Sequence, residues 1–333
     1  MIRFGIAGFG LHGVKRLMPG FAKASRCRVT AISRRDAAKA KASAAQYGIP
    51  HAFTSVDELA RCPDVDAVFV ASPNSLHLPD TLACLKAGKP VLLEKPMGMN
   101  AEECRQMIAA ARAANLKLGV AQVFRFEEST RRMREHVSSG ILGPLLYARA
   151  EFSYPGRGHV RSWINDASVA GGGPIADIAV HCIDALRFIL SDEVIAVSAF
   201  THADEESRDV EATGALNLQF RSGLLATVIV SMRAAYRSPV SIVGEAATLS
   251  ATDAFDVEQP ITIELKKTDG SVTREQLSND IAYARQVDAF ADWITGGRLF
   301  PAPGEEGLRN QLVLDAAYRS ARNRTVEKII GEV

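Results

Sequence analysis

Residues 2–13 read IRFGIAGFGLHG, an apolar run followed at once by Gly8, Gly10 and Gly13. Such a run predicts a buried strand, and the sequence after it has the composition of a helix. The first glycine permits a tight turn, the second leaves room for a pyrophosphate against the backbone, and the third lets the helix pack closely. Free N–H groups at a helix start attract phosphate. The stretch therefore predicts a dinucleotide site at Gly8, Phe9, Gly10, Leu11, His12 and Gly13.

The first 121 residues repeat this alternation of apolar runs and helical stretches. The runs mostly lack polar alternation, as expected for strands covered on both faces. They are Ile2–Ala7, Arg28–Ser33, Ala67–Ala71, Pro90–Glu94 and Lys117–Ala121. The helical stretches are Gly13–Ala24, Asp36–Tyr47, Ser75–Ala87 and Ala101–Ala114. The pattern predicts an α/β Rossmann domain, a doubly wound parallel sheet, over residues 1–121.

The pattern changes near Gln122, where a second predicted domain, residues 122–333, begins. Apolar and polar residues alternate in 216–220, which indicates a sheet with one buried face. The strand candidates are Leu145–Phe152, Ile195–Thr201, Leu216–Phe220, Leu224–Val230, Val240–Val243 and Ile261–Lys266. The helical candidates are Ile175–Leu190, Ala282–Thr295 and Glu305–Arg322. We predict an α+β domain with a mostly antiparallel open sheet, whose C-terminal helix is able to pack back on the first domain.

The charges of the 333 residues nearly cancel, with 39 basic and 38 acidic side chains and a formal net charge of +1. No global field draws the chain to nucleic acid or to a membrane, and no apolar run reaches the roughly 18 residues of a membrane span. The five cysteines form no CxxC pair, which argues against disulfides and a thiolate zinc site. Without a signal-peptide pattern, we predict a cytoplasmic, metal-free protein. A homo-oligomer, dimer or tetramer, would cover the open sheet face.

The second predicted strand ends at Ser33-Arg34-Arg35, twenty residues after Gly13. A site that prefers NAD carries Asp or Glu there, bonded to the ribose 2′-hydroxyl. A hydroxyl and two guanidinium groups instead favour the 2′-phosphate of NADP(H), with NAD(H) still possible. The alternative is that both arginines are solvated residues at a helix start. Asp36 is then expected to cap that helix.

The fourth apolar run leads into Glu94-Lys95-Pro96. The carboxyl ends of the strands in a doubly wound sheet face the ligand crevice, so Lys95 is able to reach a substrate oxygen. Pro96 favours an extended conformation at Lys95. The alternative is a surface lysine paired with Glu94.

A glycine run, Gly171-Gly172-Gly173, precedes a helix that carries Asp177 and His181. The glycines permit a turn close to a ligand. The Asp and His are four residues apart and share a helix face, where the carboxylate orients the imidazole for proton transfer. The alternatives are a surface pair or a core histidine. Cys182 follows His181, but no third ligand lies at a metal spacing.

Together these motifs resemble the glucose–fructose oxidoreductase / inositol dehydrogenase / MocA family, over essentially the whole chain. The resemblance rests on Gly8–Gly13, Ser72-Pro73-Asn74 with His77, Glu94-Lys95-Pro96, and the glycine run with Asp177 and His181. It implies a catalytic set of Lys95, Asp177 and His181. It also implies cofactor contacts by Ser33, Arg34, Ala71, Ser72, Pro73, Asn74, His77, Glu94, Lys95 and Gln122.

Further expectations follow from the resemblance. Tyr283 lies beside the substrate cavity, or else packs at an interface, and Lys95 and His181 complete the substrate contacts. Trp163 packs against the cofactor. Relatives often carry Arg after that Trp, whereas Ile164 follows here, so the family's substrates do not transfer to this chain. His159 and Arg161 lie in a loop that either covers the pocket or is solvated.

The leading hypothesis is an NADP(H)-dependent oxidoreductase that interconverts a carbonyl and a secondary alcohol by hydride transfer. Its substrate would be a sugar, a sugar derivative or a cyclitol. Lys95 polarises the oxygen and His181 moves the proton, or Lys95 is the acid and His181 a binding group. Two rival hypotheses are a glycoside-processing enzyme with a tightly held cofactor and a non-catalytic dinucleotide sensor. The sensor would need none of the three catalytic residues.

Overall fold

The computed structural model describes residues 1–158, 162–207 and 209–329, in two compact units. The first unit comprises Met1–Val123 together with Ile281–Leu308, a segment that the sequence boundary at 121 and 122 leaves in the second domain. The second unit comprises Phe124–Asp280 and the chain from Arg309 onward. Within the described residues, no helix is long and apolar enough to cross a membrane.

The first unit contains a six-stranded parallel sheet, as predicted. Its strands are β1 (Ile2–Ala7), β2 (Cys27–Ser33), β3 (His51–Phe53), β4 (Ala67–Val70), β5 (Val91–Leu93) and β6 (Leu118–Val120). Their order is β3-β2-β1-β4-β5-β6, so the chain reverses direction of travel across the sheet between β1 and β4. That is the position at which doubly wound sheets bind ligands. β4, β5 and β6 are wholly buried, and β1 and β2 are buried over their last four residues, which explains the apolar sequence of these parts.

Five α-helices connect these strands. They are α1 (Met18–Lys23), which continues a π-helical segment at Gly13–Leu17, then α2 (Ala37–Tyr47), α3 (Val56–Arg61), α4 (His77–Lys86) and α5 (Ala101–Ala113). A 3₁₀ turn, Asn74–Leu76, precedes α4. Asp36 caps α2 by accepting a hydrogen bond from the Lys39 amide, as predicted. The sequence analysis did not find β3 or α3, because three and six residues are too few for a periodic signal.

The second unit is built on a nine-stranded sheet. Its strands are β7 (Leu145–Ser153), β8 (Val194–His202), β9 (Thr213–Phe220), β10 (Leu225–Ser231), β11 (Val240–Gly244), β12 (Ala247–Ala251), β13 (Ile261–Lys267), β14 (Val272–Leu277) and β15 (Glu327–Lys328). The order is β14-β13-β12-β11-β7-β10-β9-β8-β15. Among the strand pairs described in this nine-stranded sheet, only β7 and β10 are parallel. The prediction of a mostly antiparallel open sheet is therefore confirmed.

The helices of the second unit include α6 (Glu128–Ser138), α7 (Ala167–Ala170) and α8 (Val180–Leu190). A π-helical segment, Ile175–Ala179, leads directly into α8, where the sequence predicts one regular helix. Short 3₁₀ helices lie at Val123–Phe126 and Ser162–Asn165. Two more helices follow, α9 (Ala282–Ile294) and α10 (Gly304–Asn323), and α9 packs against α1 in the first unit.

Candidate active site

The glycine turn after β1 has the backbone that a phosphate cradle needs. Gly8 has a φ of +76°, and a Cβ on it would lie 2.6 Å from the backbone of Ser72. At Gly10 the nearest atom to an added Cβ is the Gly8 carbonyl oxygen at 3.7 Å, so this side of the turn is open. A Cβ on Gly13 would meet the Phe9 ring at 2.9 Å. Gly8 and Gly13 are therefore each required by a close contact within the protein, whereas the open side of Gly10 suits the approach of a pyrophosphate.

The side chains of Phe9, Leu11 and His12 in this turn differ in their burial and contacts. Phe9 is buried and lies edge-on to Tyr47, so only its backbone is available to a ligand. Leu11 is 37% exposed. The His12 Nε2 lies 2.8 Å from a Glu94 carboxylate oxygen, which links the turn after β1 to the residue after β5.

The end of β2 carries a buried serine and an anchored arginine. The Ser33 hydroxyl accepts a hydrogen bond from the Gly8 amide at 3.4 Å. The Arg34 guanidinium donates to the Ser43 hydroxyl of α2 at 2.7 Å, so this side chain is held rather than freely solvated. Arg35 is exposed. Of the two arginines, Arg34 is therefore the one whose guanidinium is held against α2.

The loop after β4 contains the predicted Ala71, Ser72, Pro73 and Asn74, and it approaches the glycine turn at Gly8. Ser72 and Asn74 are largely buried. His77 differs from the expectation that it lines the cofactor. Its side chain is fully buried, with one ring nitrogen 2.9 Å from the Pro96 carbonyl oxygen and the other 3.0 Å from the Ser72 carbonyl oxygen. Both ring nitrogens therefore face backbone carbonyl oxygens of the protein.

Glu94 and Lys95 follow β5 at the same edge of the sheet as the glycine turn. The Lys95 amide donates to its neighbour's carboxylate at 3.2 Å, and the Lys95–Pro96 peptide bond is cis. Burial alone would raise the pKa of Glu94, but His12 and Lys95 outweigh it and hold that pKa below its usual range. The glutamate is thus an anion directly before Lys95 in the sequence.

Gln122 follows β6, and it is 1% exposed. Neither its amide oxygen nor its amide nitrogen has a hydrogen-bond partner within the described residues. A buried amide without partners costs free energy unless a ligand or water supplies them. A carboxamide such as that of nicotinamide offers both a donor and an acceptor. Gln122 therefore fits the cofactor that the resemblance implies.

Tyr283 begins α9 in the first unit. Its Cβ fills the space that a side chain at position 20 would need, because Gly20 lies directly against it. The Tyr283 ring packs edge-on to His12, with 6.1 Å between centroids. The tyrosine is half-buried and packs against Gly20 and His12, and its contact with a substrate stays a prediction.

Gly171-Gly172-Gly173 precedes the π-helical segment that leads into α8. The sequence analysis misjudged why glycines are needed there. A Cβ on Gly172 would collide with the Tyr318 hydroxyl, and one on Gly173 with the Glu211 backbone. Gly172 and Gly173 thus admit other parts of the protein. The Glu211 carboxylate accepts hydrogen bonds from the Gly173 amide at 3.0 Å, the Ile175 amide at 2.8 Å and the Tyr318 hydroxyl at 3.0 Å. Together, Glu211 and Tyr318 cap the helix that carries Asp177 and His181.

Asp177 lies in the π-helical segment and accepts a hydrogen bond from the Tyr154 hydroxyl at 2.9 Å. The sequence analysis missed Tyr154. Its place directly after strand β7 is a signal that could have identified it. His181 is 8% exposed and packs edge-on to Phe124, with centroids 4.5 Å apart. The ring centroid of Phe152 lies 6.0 Å from that of His181. The imidazole therefore has an apolar wall, and the carboxylate has a hydroxyl partner.

Trp163 lies half-buried in the 3₁₀ helix Ser162–Asn165 of the second unit. His159 and Arg161 lie outside the described residues.

One turn beyond His181, Asp184 anchors α8 through a buried polar network. Its carboxylate accepts two hydrogen bonds from the Arg125 Nε at 2.9 and 3.1 Å, and one from Arg125 Nη2 at 2.6 Å. Asn310 donates to it at 2.8 Å and accepts from Arg187 at 2.7 Å. Asp184 and both arginines are at most 5% exposed. Since buried charges require partners, this network fixes the orientation of the helix.

Glu127 lies fully buried at the start of α6, with one carboxyl oxygen accepting from the Thr130 hydroxyl at 3.0 Å. The other oxygen has no partner among the described residues. Burial, reinforced by Asp256, raises the pKa of Glu127 well above its ordinary value.

We expect the stability of the protein to fall as pH rises, because the pKa of Glu127 is raised in the folded state. The folded state binds a proton that the unfolded chain loses near pH 4.3, so stability is fully present below that pH and declines toward the folded pKa. Glu127→Gln keeps the hydroxyl contact without an ionisable group. The gain in Tm of the variant over wild type should therefore be larger at pH 8 than at pH 4.5. Exposed Glu135→Gln on the same helix is the control, and a pH-independent difference at Glu127 would contradict the assignment.

Three potential metal ligands that the sequence analysis did not connect lie together in the first unit. His51, Cys62 and Asp64 place their ligand atoms within 4.8 Å of one another. The Asp64 carboxylate is already bonded to Arg3 at 2.7 Å and to His51 at 2.9 Å. The cluster is therefore accounted for by ion pairing. It shares no residue with the glycine turn or with the Glu94–Lys95 segment.

Comparison with known proteins identifies the family of both halves of the chain. Residues 2–122 match the model described as an oxidoreductase family with an NAD-binding Rossmann fold, and residues 130–250 match the GFO/IDH/MocA C-terminal domain. The sequence over residues 170–188 predicts a likeness to bacterial 1,5-anhydro-fructose reductases. The 1,5-anhydro-D-fructose reductase of Ensifer adhaerens is indeed similar, with 31% identity and 92% of each chain covered.

Two further relatives support the assignment. The D-xylose 1-dehydrogenase (NADP(+)) 2 of Haloferax volcanii is 31% identical over 96% of this chain and 97% of its own. The crystal structure of aldose-aldose oxidoreductase from Caulobacter crescentus, complexed with glycerol, has a TM-score of 0.92 and 28% identity, with 98% of this chain and 99% of that chain covered. These matches and the two-part fold agree, and the chain belongs to the glucose–fructose oxidoreductase / inositol dehydrogenase / MocA family of NAD(P)-dependent oxidoreductases.

Proposed function

We propose that this protein interconverts a carbonyl and a secondary alcohol on a sugar, a sugar derivative or a cyclitol, with NADP(H) as cofactor. The observation that carries the proposal is the edge of the parallel sheet. There the glycine turn after β1 and the Glu94–Lys95 segment after β5 are joined by the His12–Glu94 contact at 2.8 Å. In this proposal Lys95 and the glycine turn act from the same edge of the sheet. Initial rates with sugars and cyclitols test the proposal.

The first unit offers the contacts that such a cofactor requires. The open side of Gly10 accepts the pyrophosphate, the Ser33–Arg34 segment accepts the adenosine end, and the unpartnered Gln122 amide accepts a carboxamide. When bound, a nicotinamide dinucleotide supplies the hydride chemistry that protein side chains lack. The protein supplies position and charge.

The proposed roles of the remaining residues follow from their chemistry. Lys95 stabilises negative charge that develops on the substrate oxygen. His181 donates or accepts the proton, and the apolar Phe124 beside it limits competing water. Asp177 orients the imidazole while Tyr154 holds the carboxylate at 2.9 Å. In the alternative division, Lys95 is the acid and His181 binds a hydroxyl.

The substrate class is proposed from the names of the relatives. One acts on 1,5-anhydro-D-fructose, one on D-xylose and one on aldoses, so polyhydroxylated rings and chains are the compounds to test. The name aldose-aldose oxidoreductase also favours a second candidate, in which a retained cofactor is oxidised and reduced by two sugar substrates in turn. Turnover without added cofactor would distinguish it.

We expect NADPH to bind at least about tenfold more tightly than NADH. A charge-assisted contact of Arg34 with the 2′-phosphate needs to supply only about 1.4 kcal/mol for that ratio. Because Ser43 holds the Arg34 guanidinium, little side-chain entropy is lost on binding. Isothermal titration with both reduced cofactors measures the ratio. Arg34→Ala should remove most of the preference, whereas Arg35→Ala, at the exposed neighbour, should leave it; equal affinities in the wild type would refute the NADP assignment.

We also propose that a second copy of the chain covers the open face of the nine-stranded sheet. Large apolar side chains are exposed on its central strands. Leu225 is 59% exposed and is paired with Tyr147, which is 40% exposed, and Ile229 on the same strand is 43% exposed. An antiparallel sheet with an apolar second face requires a partner. Analytical ultracentrifugation of the purified chain tests this proposal.

A further inference from the structure

His77 occupies an unusual position at the start of α4. Its ring is fully buried, one nitrogen lies 2.9 Å from the Pro96 carbonyl oxygen, and the other lies 3.0 Å from the Ser72 carbonyl oxygen. These two carbonyls belong to different loops of the first unit, one after β4 and one after β5. The single imidazole therefore bridges them.

Each of the two loops carries a part of the proposed site. Ser72 lies against the glycine turn, since a Cβ on Gly8 would meet its backbone at 2.6 Å. Pro96 is the residue directly after Lys95. A series of direct contacts thus connects the phosphate cradle to Lys95. It passes through Gly8, Ser72, His77 and Pro96.

The chemistry of imidazole suits this bridge. Both carbonyl oxygens are acceptors, so the bridge is complete when each ring nitrogen carries a hydrogen, as in imidazolium. Burial lowers the pKa of His77, and the two carbonyls and the Glu94 carboxylate oppose that shift only in part, so the neutral ring is favoured. In the neutral form one N–H still donates, and the ring still fills the space between the loops. No other uncharged side chain offers two opposed nitrogens at this separation.

We propose that His77 is a positioning residue, which ties the loop after β4 to the loop after β5 and thereby holds Lys95 in its working place relative to the cofactor. This inference rests on the proposed catalytic role of Lys95. It replaces the expectation that His77 touches the cofactor. A displacement of about 1 Å at a reacting group is enough to lower a rate about 100-fold.

The first test measures the bridge without any substrate. Hydrogen exchange by mass spectrometry is compared for wild type, His77→Phe, which keeps the ring shape without donors, and His77→Gln, which keeps one donor. Thr81→Val is the matched control, because Thr81 is also fully buried on α4 and lies one turn away. We expect faster exchange in peptides covering 71–76 and 94–99 in His77→Phe, a smaller change in His77→Gln, and none in Thr81→Val. Unchanged exchange, or an equal rise throughout the first unit, would overturn the bridge.

The second test asks whether His77 acts through Lys95. Using D-xylose with NADP⁺ or 1,5-anhydro-D-fructose with NADPH as probes, His77→Phe should lower kcat about tenfold to 100-fold, with KM less affected. In a Lys95→Ala background the same substitution should cause little further loss, because residues that act as a unit are not additive. Additive losses would overturn the positioning role. If neither probe is turned over by wild type, the proposed substrates fail, while the exchange experiment still decides the bridge.

Discussion

Lys95→Ala is expected to lower kcat/KM by at least ~100-fold, the size of effect that one electrostatic group at a reacting oxygen supplies. The side chain is half-buried at the end of β5, and its partner Glu94 is an anion fixed by His12 at 2.8 Å. The loss should fall on kcat, because the cation acts where charge develops in the transition state. Cofactor affinity should change by only a few-fold, since the phosphate cradle lies on β1.

Steady-state kinetics beside cofactor titration measures both quantities. Lys86→Ala, at an exposed lysine of α4, is the control for removing a positive charge from the same unit. Lys95→Arg separates the two proposed roles, because arginine keeps the charge but does not release a proton near neutral pH. Partial activity in Lys95→Arg favours the polarising role, and loss as complete as in Lys95→Ala favours the acid. Near-normal kcat in Lys95→Ala would make this residue a surface lysine.

Asp184→Ala is expected to destabilise the second unit by about 3–5 kcal/mol, because it leaves the buried Arg125 guanidinium without its carboxylate. For a unit of this size, that loss lowers Tm by roughly 6–20 °C. Asp184 also lies on α8, one turn from His181. We therefore expect the variant that remains folded to turn over substrate more slowly than wild type.

Differential scanning calorimetry measures the change in Tm. Glu205→Ala, at an exposed carboxylate in the same unit, is the control and should leave Tm within about 2 °C, as surface substitutions usually do. Asp184→Asn keeps the shape and removes the charge, so it separates the electrostatic loss from a cavity. A Tm for Asp184→Ala equal to that of the control would mean that Arg125 finds another partner.

Much of the first unit follows from local sequence. Each strand that is buried on both faces shows as an apolar run, and Asp36 shows as a cap because its side chain bonds an amide only three residues away. The short β3 and α3 do not show, because their stability comes from packing on neighbours rather than from periodicity. The sequence analysis also missed β12, which has five residues, and α6, whose sequence contains few apolar side chains.

The candidate site is harder to predict from the sequence than the fold is. The residues that contact one another there are far apart in the sequence. The glycine run was noticed, but its cause, the approach of Glu211 and Tyr318, lies 38 or more residues away. Tyr154 reaches Asp177 over 23 residues. His77 was placed on the cofactor because the resemblance groups it with Asn74, and only the structure shows that both ring nitrogens are occupied by carbonyl oxygens.

The central claim is that this chain oxidises and reduces sugars or cyclitols with NADP(H). The most direct measurement is an initial-rate screen of aldoses, 1,5-anhydro-D-fructose and cyclitols with each cofactor, followed by the absorbance of the reduced nicotinamide. We predict turnover of at least one of these compounds, with kcat/KM at least about tenfold higher with NADP(H) than with NAD(H), and loss of that turnover in Lys95→Ala. Tight cofactor binding with no turnover of any compound would contradict the account and favour a dinucleotide sensor.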